Sequence, residues 1–133
     1  MFRLRPIKEI DFQSGDLMSI SLQGYKSSRL YYIEKLGKEI LLRIQWYSNG
    51  ICSSYLHSLN VGDTIQSIIK KNHQFYFPKE VTSVWYIAGG NGTVPYLGSL
   101  NENHKTYLKL IWEGKTESSF EYYREVLEDT PSL

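Results

Sequence analysis

Three short stretches of the sequence carry residue types that bind phosphate groups or lie beside redox cofactors. Residues 29–32 read Arg-Leu-Tyr-Tyr, residues 50–56 read Gly-Ile-Cys-Ser-Ser-Tyr-Leu, and residues 89–95 read Gly-Gly-Asn-Gly-Thr-Val-Pro. A guanidinium group forms paired hydrogen bonds with phosphate, and the free backbone NH groups at the start of a helix bind the same kind of anion. Together the three stretches predict a site for a phosphate-containing ligand.

Taken singly, each stretch also has an ordinary structural interpretation. The glycines of residues 89–92 suit a tight turn, and they do not form the Gly-x-Gly-x-x-Gly pattern of dinucleotide-binding turns. Residues 50–56 suit the start of any short helix. Their joint occurrence favours function, because Arg29 and the bend at 50–53 would form one anion site and the later turn a second. Two pyrophosphate sites indicate two nucleotide cofactors, the layout for hydride transfer between a nicotinamide and a flavin.

The composition is that of a folded protein with little net charge. The chain has 133 residues, 41% of them hydrophobic, and its 15 basic and 14 acidic side chains give a net charge of +1. This balance does not suit a protein held to nucleic acid mainly by phosphate neutralisation. Residues 1–80 carry 11 basic and 7 acidic side chains, whereas residues 81–133 carry 4 and 7. We therefore expect an anionic ligand to bind mainly to the first part of the chain.

The cysteine, histidine and hydropathy patterns argue against several other classes. The single cysteine, Cys52, can form neither an internal disulfide nor a zinc site with several thiolates, and it indicates a reducing compartment. His57, His73 and His104 lack the spacing of helical metal ligands, so no metal site is predicted. No apolar run approaches the roughly 20 residues of a membrane span. We expect a cytoplasmic protein with no membrane segment in this chain.

The first part of the chain has the pattern of short antiparallel strands interrupted by one helix. Alternating apolar and polar residues and glycine-containing turns predict strands at residues 1–5, 17–22, 30–33, 39–47 and 64–69. A helix is predicted before the last strand, with Ser53 as its N-cap. Its predicted buried face consists of Tyr55, Leu56 and Leu59. This order predicts a small antiparallel barrel over residues 1–80.

From residue 81 the pattern changes to alternating strands and helices. Apolar residues at 84–88 predict a strand covered on both faces, and a second strand is predicted at 107–112. Thr93 and Pro95 open the helix between them. Ser118 or Ser119 caps a second helix, whose predicted buried residues are Phe120, Tyr123, Val126 and Leu127. Two parallel strands seldom form a stable sheet alone, so residues 81–133 are interpreted as the incomplete N-terminal part of an NAD(P)-binding domain.

At these motifs the chain resembles the ferredoxin-NADP reductase superfamily, especially flavoprotein reductases similar to sulfite reductase flavoprotein and flavodoxin reductase. The family's Arg-x-Tyr-Ser motif resembles residues 29–32. Its Gly-x-Cys-Ser motif, which an aromatic residue and Leu follow, is similar to residues 50–56. The resemblance implies that Arg29 holds the flavin pyrophosphate and that Tyr31 packs against the isoalloxazine. The flavin-binding residues that it implies are Arg29, Tyr31, Gly50, Ile51, Cys52 and Ser53.

The third family motif, Gly-Thr-Gly-x-x-Pro, is similar to residues 90–95. The resemblance implies that this turn faces a pyridine nucleotide through Gly90, Asn91, Gly92, Thr93 and Pro95. It also implies FAD as the cofactor, with FMN possible, and NAD(P)H as co-substrate. The implied partner is an electron-transfer protein or a flavodoxin-like domain, and the incomplete sheet suggests a homo-oligomer.

Two substitutions and several absent elements distinguish the chain from the family. Tyr32 stands where the family usually has Ser, and Asn91 stands where it usually has Thr. By the resemblance, Tyr31, Tyr32 and Cys52 lie at the reacting edge of the flavin. The later strands of the nicotinamide domain and the first strand of the barrel have no counterpart in the sequence. We therefore expect an incomplete reductase that moves electrons between NAD(P)H and a redox partner through FAD, and that is inactive by itself.

Three alternatives remain open at this level. A truncated relative could bind flavin without reducing it, or could serve as a protein-interaction module through its open sheet edge. A barrel with Arg43, Trp46 and Tyr47 on its surface could bind single-stranded nucleic acid, although an α/β continuation has no place in that interpretation. Cys52 at a helix start could act as a covalent nucleophile, but no histidine close in sequence would activate it.

Overall fold

The computed structural model describes residues 1–22, 28–44, 49–72, 80–97 and 107–118, together with Glu121 and Arg124. Several residues that the sequence singled out lie outside this part of the chain: Trp46, Tyr47, His73, His104, Ser119, Phe120, Tyr123, Val126 and Leu127.

The described residues form two sheets, one eight-residue helix and a short 3-10 turn. The strands are β1 (Phe2–Leu4), β2 (Leu17–Ser21), β3 (Ser28–Leu36), β4 (Glu39–Leu42), β5 (Ser67–Lys70), β6 (Ser83–Gly89) and β7 (Tyr107–Glu113). The helix, α1, spans Ile51–Ser58 between β4 and β5, and the 3-10 turn spans Gly90–Thr93. Residues 94–97 continue from that turn as α-helix.

The first five strands form one antiparallel sheet in the order β1-β4-β3-β2-β5. One face of this sheet and helix α1 enclose the core, because alternate strand residues point inward and the helix contributes one side. The fully or nearly buried apolar residues of this core are Phe12, Met18, Ile20, Ile33, Ile40, Leu42, Cys52 and Leu56. The predicted order of strands and helix is thereby confirmed.

Two of the predicted strands extend three or more residues beyond one end of the observed strand. The strand predicted at 39–47 ends at Leu42, where its pairing with β3 stops at Ile33. The strand predicted at 64–69 begins only at Ser67. Strand β5 pairs with β2 alone among the described strands, and that ladder ends where Ser67 meets Ile20. Each of these strands therefore stops where its pairing with the neighbouring strand ends, and the local pattern does not reveal that point.

Helix α1 begins earlier than predicted. Its N-cap is Gly50, with an extended backbone, and Ser53 lies within the first turn, where its hydroxyl donates to the Gly50 carbonyl at 3.3 Å. The prediction of Ser53 as N-cap is wrong. Tyr55, predicted to be buried, is exposed, whereas Cys52, Ser53 and Leu56 are buried. The observed N-cap lies three positions before the predicted one, and the added first turn contributes Cys52 and Ser53 to the buried face.

Strands β6 and β7 form a parallel pair, as the alternating pattern predicts. One face of β6 packs on the helical residues that follow it, since the rings of Tyr86 and Tyr96 lie 5.2 Å apart in an edge-to-face arrangement. On the opposite face, Trp85 and Ile87 are 59% and 82% exposed. The prediction of a strand covered on both faces is therefore wrong for these residues, because an apolar run alone does not reveal whether a second layer is present.

The second helix of this part begins at residue 117. Ser118 is therefore already helical and is not the cap, while the hydroxyl oxygens of Thr116 and Ser118 lie 3.2 Å apart. Across the described ranges, no helix combines the length and the apolar character needed to span a membrane.

Candidate functional site

Strand β3 carries the first of the predicted phosphate-binding residues. Arg29 and Tyr31 lie opposite Ile20 and Met18 of β2, and both of these β2 residues belong to the core. Since residues directly opposite in an antiparallel pair share a face, Arg29 and Tyr31 lie on the core side of the sheet. Arg29 is exposed at the end of this face, while Tyr31 is partly buried and packs against the core.

Tyr31 connects this strand to the start of helix α1. Its hydroxyl lies close enough to the Cys52 thiol to interact with it. The pKa of Tyr31 is raised far above its ordinary range, mainly because burial disfavours the phenolate and also because of the Cys52 thiol. The Arg29 guanidinium is near enough to oppose this rise electrostatically. Arg29, Tyr31 and Cys52, from two motifs far apart in sequence, therefore meet at one place.

The N-terminus of α1 has the electrostatic properties of an anion site. Its N-cap, Gly50, provides no side-chain hydrogen bond, and the first turn contains no acidic residue. The first intrahelical bond runs from Ser54 NH to the Gly50 carbonyl at 3.0 Å. The NH groups of Ile51, Cys52 and Ser53 precede this bond, and such groups point outward with the positive end of the helix dipole. The Ile51 side chain is 55% exposed, so the bend lies at the surface.

A buried carboxylate holds β3 in place beside this bend. Asp16 is fully buried, and its two oxygens accept hydrogen bonds from the NH groups of Gln13 and Asn72, both at 2.9 Å. The Lys71 ammonium lies 3.6 Å from the same carboxylate. The backbone carbonyl of Asp16 accepts a hydrogen bond from the NH group of Ile33 at 3.0 Å. Asp16 thus ties the turn before β2 both to β3 and to the residues that follow β5.

Tyr32 occupies the position where the reductase motif has Ser. It lies between Tyr31 and Ile33, both of which contact the core, and strand alternation therefore places Tyr32 on the other face. Glu34 shares that face, and its carboxylate lies 2.6 Å from Nε of Arg43. Burial raises the pKa of Glu34, although the Arg43 guanidinium opposes this shift. The partly buried Arg43 is thus paired with a buried carboxylate, which weakens the interpretation of it as part of a nucleic-acid surface.

The glycine-rich turn after β6 forms a compact structure around the carbonyl of Gly90. This oxygen accepts hydrogen bonds from the Thr93 hydroxyl at 3.1 Å and from Nε1 of Trp112 at 2.9 Å. Gly90 has a φ of 53°, in the left-handed region that side chains disfavour. A Cβ atom on Gly92 would lie 3.6 Å from that of Ala88, which is ordinary contact. Close packing within the turn therefore does not require a glycine at position 92.

The remaining predicted residues of this turn differ in exposure. Thr93 and Pro95 are buried, and the Thr93 hydroxyl is engaged with Gly90. Gly90 is exposed, and Asn91 lies beside it in the same 3-10 turn. Any contact of this turn with a ligand would therefore involve its backbone more than the Thr93 side chain.

Within the described ranges no group of three or more potential metal-ligating side chains comes together. Sequence reasoning did not identify two buried acidic residues that make ion pairs, Asp16 and Glu34. Gly15 and Asp16 indicate a turn. The local sequence does not indicate that the buried Asp16 carboxylate accepts a hydrogen bond from the backbone NH of Asn72, far along the chain. Glu34 shows no local signal, because its partner Arg43 lies on the other side of the β3–β4 hairpin.

Comparison with known proteins identifies similar folds. No family model and no curated protein sequence matches the chain. Among solved structures, cytochrome P450 reductase GcoB from Amycolatopsis matches with a TM-score of 0.69 and 18% identity, over 97% of this chain and 43% of that one. A ferredoxin-NADP+ reductase mutant from Plasmodium falciparum, crystallised with 2'P-AMP, matches with a TM-score of 0.62 and 19% identity, over 96% and 61%.

These matches show the fold alone: the chain has the fold of ferredoxin-NADP reductases, with a five-stranded antiparallel sheet followed by a two-stranded parallel sheet. The fold expected from the three motifs is confirmed. The chain spans about two to three fifths of the length of these two structures.

Proposed function

We propose that this chain, with its ferredoxin-NADP reductase fold, is the flavin-binding part of an NAD(P)H-dependent flavoprotein reductase. The observation that carries the proposal is the meeting of Arg29, Tyr31 and Cys52, which joins the two predicted flavin motifs in one place. A guanidinium beside the uncapped start of a helix is suited to a diphosphate, because both supply NH donors and positive charge to the same anion. The expected cofactor is FAD, with FMN as the alternative.

Each residue has a distinct proposed role. Arg29 and the NH groups of Ile51 and Cys52 bind the pyrophosphate, and Ser53 supports the bend through its bond to Gly50. The ring of Tyr31 offers a flat surface to an aromatic ring system. Cys52 lies beside Tyr31, at the same edge of the proposed flavin site. Bound flavin would supply the redox chemistry, accepting hydride from a nicotinamide and passing electrons to a partner protein.

The turn at Gly90–Thr93 is the proposed contact for the pyridine nucleotide. Gly90 and Gly92 leave the backbone free of side chains at that point, and Thr93 secures the turn through its buried hydroxyl. Asn91 and Pro95 complete the motif. We propose residues 1–80 as the flavin domain and residues 81–133 as part of the NAD(P)-binding domain. Electron transfer to a redox protein or a flavodoxin-like domain is the expected role of the whole enzyme.

Flavin binding can be tested directly with the 133-residue chain. FAD, FMN and riboflavin are titrated into the protein while the quenching of flavin fluorescence is followed. We expect saturable binding of FAD and weaker binding of riboflavin, which has no phosphate. The substitution Arg29→Ala should weaken FAD binding by about tenfold to a hundredfold, since a charge-assisted bond contributes about 1.5–3 kcal/mol. It should leave riboflavin binding nearly unchanged.

The matched control for this test is Arg5→Ala. Arg5 is a highly exposed arginine whose partner is Glu39, at 3.2 Å. The Arg5→Ala variant should bind FAD as tightly as the unmodified protein does. Equal loss of affinity in both variants would mean that Arg29 acts only through overall charge. A protein that binds none of the three flavins would contradict the proposal.

A second candidate function is flavin binding without reduction. The two-stranded parallel sheet of the described residues favours it. Anaerobic addition of NADPH or NADH to the flavin-loaded protein distinguishes the two functions. Loss of the visible flavin absorption supports the reductase, whereas unchanged absorption with flavin bound supports the non-catalytic form.

A further inference from the structure

The backbone carbonyl of Gly90 is held by side chains from two different parts of the chain. The Thr93 hydroxyl, within the same turn, donates to it at 3.1 Å. Nε1 of Trp112, on strand β7, donates to it at 2.9 Å from a position 22 residues further along the chain. Trp112 belongs to none of the three sequence motifs, yet its bond ties the glycine-rich turn to the neighbouring parallel strand.

The backbone of Gly90 has a conformation that suits this contact. Its φ of 53° lies in the left-handed region, which a residue with a side chain adopts at an energetic cost. A Cβ atom at this position would meet no other atom within 4 Å, so close packing does not explain the glycine. The glycine is therefore required by the bend of the backbone, at the point where the carbonyl meets the indole.

Strand β7 is built to present the indole to this carbonyl. The parallel register places Trp112 beside Ala88, two residues before Gly90, so the side chain is within reach of the turn. A Cβ atom at position 114 would collide with two carbons of the Trp112 ring. Gly114 therefore leaves the space that the ring occupies. The two residues act together, since one supplies the donor and the other makes room for it.

The direction of the Gly90 carbonyl also sets the direction of the next backbone NH. The peptide bond between Gly90 and Asn91 is trans and planar, so its carbonyl and its NH point in opposite directions. Because the carbonyl faces Trp112 and Thr93, the Asn91 NH is directed away from both. This NH lies in the first residues of a helical turn, where NH groups have no acceptor within the helix.

We propose that Trp112 is a positioning residue for the pyridine nucleotide. Its indole NH holds the Gly90 carbonyl and thereby aims the Asn91 NH at the diphosphate of the nucleotide. The inference rests on the proposed function of the turn at Gly90–Thr93. A donor that is already fixed in the binding direction favours affinity, because less conformational freedom is lost when the ligand arrives. Thr93 holds the carbonyl from within the turn, whereas Trp112 anchors it to strand β7.

The substitution Trp112→Phe separates this role from folding. Phenylalanine keeps an aromatic ring on β7 but has no donor for the Gly90 carbonyl. The bond that is lost lies at the surface of the protein, so the variant should remain folded, which circular dichroism checks.

Nucleotide binding is measured with the 133-residue chain by titration of NADPH and, separately, of NADH. Backbone NH signals are followed by NMR during each titration. In the unsubstituted protein we expect a saturable shift of the Asn91 NH signal. Trp112→Phe should bind the nucleotide about threefold to tenfold more weakly, the range that corresponds to one hydrogen bond. Its Asn91 signal should also shift less at saturation, since the NH no longer has a fixed direction.

The matched control is Trp85→Phe, the same substitution on the opposite face of the same sheet. Trp85 is highly exposed, and its ring lies 4.5 Å from the Lys109 ammonium. This variant should bind the nucleotide as tightly as the unsubstituted protein does, with the same shift of the Asn91 signal.

The unsubstituted protein provides a second measurement that needs no variant. If the indole bond favours nucleotide binding, then binding must favour the indole bond by the same factor. The Nε1 proton of Trp112 should therefore exchange with solvent about threefold to tenfold more slowly when the protein is saturated with nucleotide. A side chain that only stabilises the fold would show no such dependence on the ligand.

The outcomes distinguish this inference from the proposed function on which it rests. Equal affinity and an equal Asn91 shift in Trp112→Phe and the unsubstituted protein would overturn the positioning role. An Nε1 exchange rate that the nucleotide does not change would overturn it too, as would an equal loss of affinity in Trp85→Phe. In these cases the nucleotide still binds at the turn, and the proposed function stands. If neither nucleotide perturbs residues 90–93 of the unsubstituted protein, the proposed function of the turn fails and the inference fails with it.

Discussion

The Tyr31 hydroxyl on strand β3 and the Cys52 thiol in the first turn of helix α1 lie close enough to interact, which links the strand to the helix. This contact brings a flat aromatic ring, a thiol and the uncapped start of a helix together, close to the Arg29 guanidinium. In the proposed function it positions the wall of the flavin site against the phosphate-binding bend.

Replacement of Tyr31 by Phe tests this contact. The variant keeps the ring but loses the hydroxyl, so the free energy of unfolding should fall by about 0.5–1.5 kcal/mol. The Cys52 thiol, released from its partner, should react several times faster with a thiol reagent. Urea unfolding and the rate of thiol labelling measure the two effects. Tyr55→Phe, on the exposed side of the same helix, should change neither, and an unchanged labelling rate in Tyr31→Phe would contradict the prediction.

Replacement of Glu34 by Gln should change how stability depends on pH. Burial raises the folded-state pKa of Glu34 above its unfolded value, so the folded protein holds this proton more tightly. Its contribution to stability is complete below the unfolded pKa of about 4.3 and is lost as the pH rises through the folded pKa. The unfolding free energy of the unsubstituted protein, relative to that of Glu34→Gln, should therefore fall as the pH increases from about 4 toward neutrality.

Urea unfolding of both proteins at a series of pH values provides this measurement. The two proteins share all other carboxylates, so the contribution of those groups cancels in the difference between the two free energies of unfolding. A difference that grows with pH would mean that the Arg43 ion pair, at 2.6 Å, outweighs the cost of burial.

Replacement of Asp16 by Asn should destabilise the fold. The buried carboxylate accepts NH groups with both oxygens, whereas an amide has only one acceptor, so either Gln13 or Asn72 loses its partner. The expected loss is about 1–3 kcal/mol in the free energy of unfolding. The control Asp11→Asn removes another carboxylate that pairs with Lys71, at 3.2 Å, but from an exposed position. It should cost less than about 1 kcal/mol, and equal losses in the two variants would contradict the buried role of Asp16.

Replacement of Gly114 by Ala should displace the Trp112 ring. A Cβ atom at position 114 would lie within 2.4 Å of this ring, so the indole must move and give up its bond to the Gly90 carbonyl. The Nε1 proton of Trp112 should then shift in NMR spectra and exchange faster with solvent. Gly92→Ala, whose added methyl group meets Ala88 at an ordinary 3.6 Å, should leave this signal in place. An unchanged Trp112 signal in Gly114→Ala would show that the ring has room to accommodate the methyl group.

Local sequence patterns predict most of the strands and helices, but they do not predict well the residues at which these begin and end. Gly50 and Cys52 were correctly placed at a helix start, because a glycine followed by small polar residues is typical of such a start. The N-cap was nevertheless assigned to Ser53, since its side chain is a good cap in isolation. Only packing against the core reveals that Cys52, and not Tyr55, faces inward.

The sequence by itself determined the order of strands and helices, the change from antiparallel to parallel pattern near residue 81, and the three motifs. These features depend on residues close together in the chain, because turn-forming residues and the spacing of hydrophobic residues are local properties of the sequence. Tertiary structure alone decided which distant groups meet: Tyr31 with Cys52, Asp16 with Asn72, and Glu34 with Arg43. Such contacts depend on how strands pair in space, and no local spacing of residues specifies that pairing.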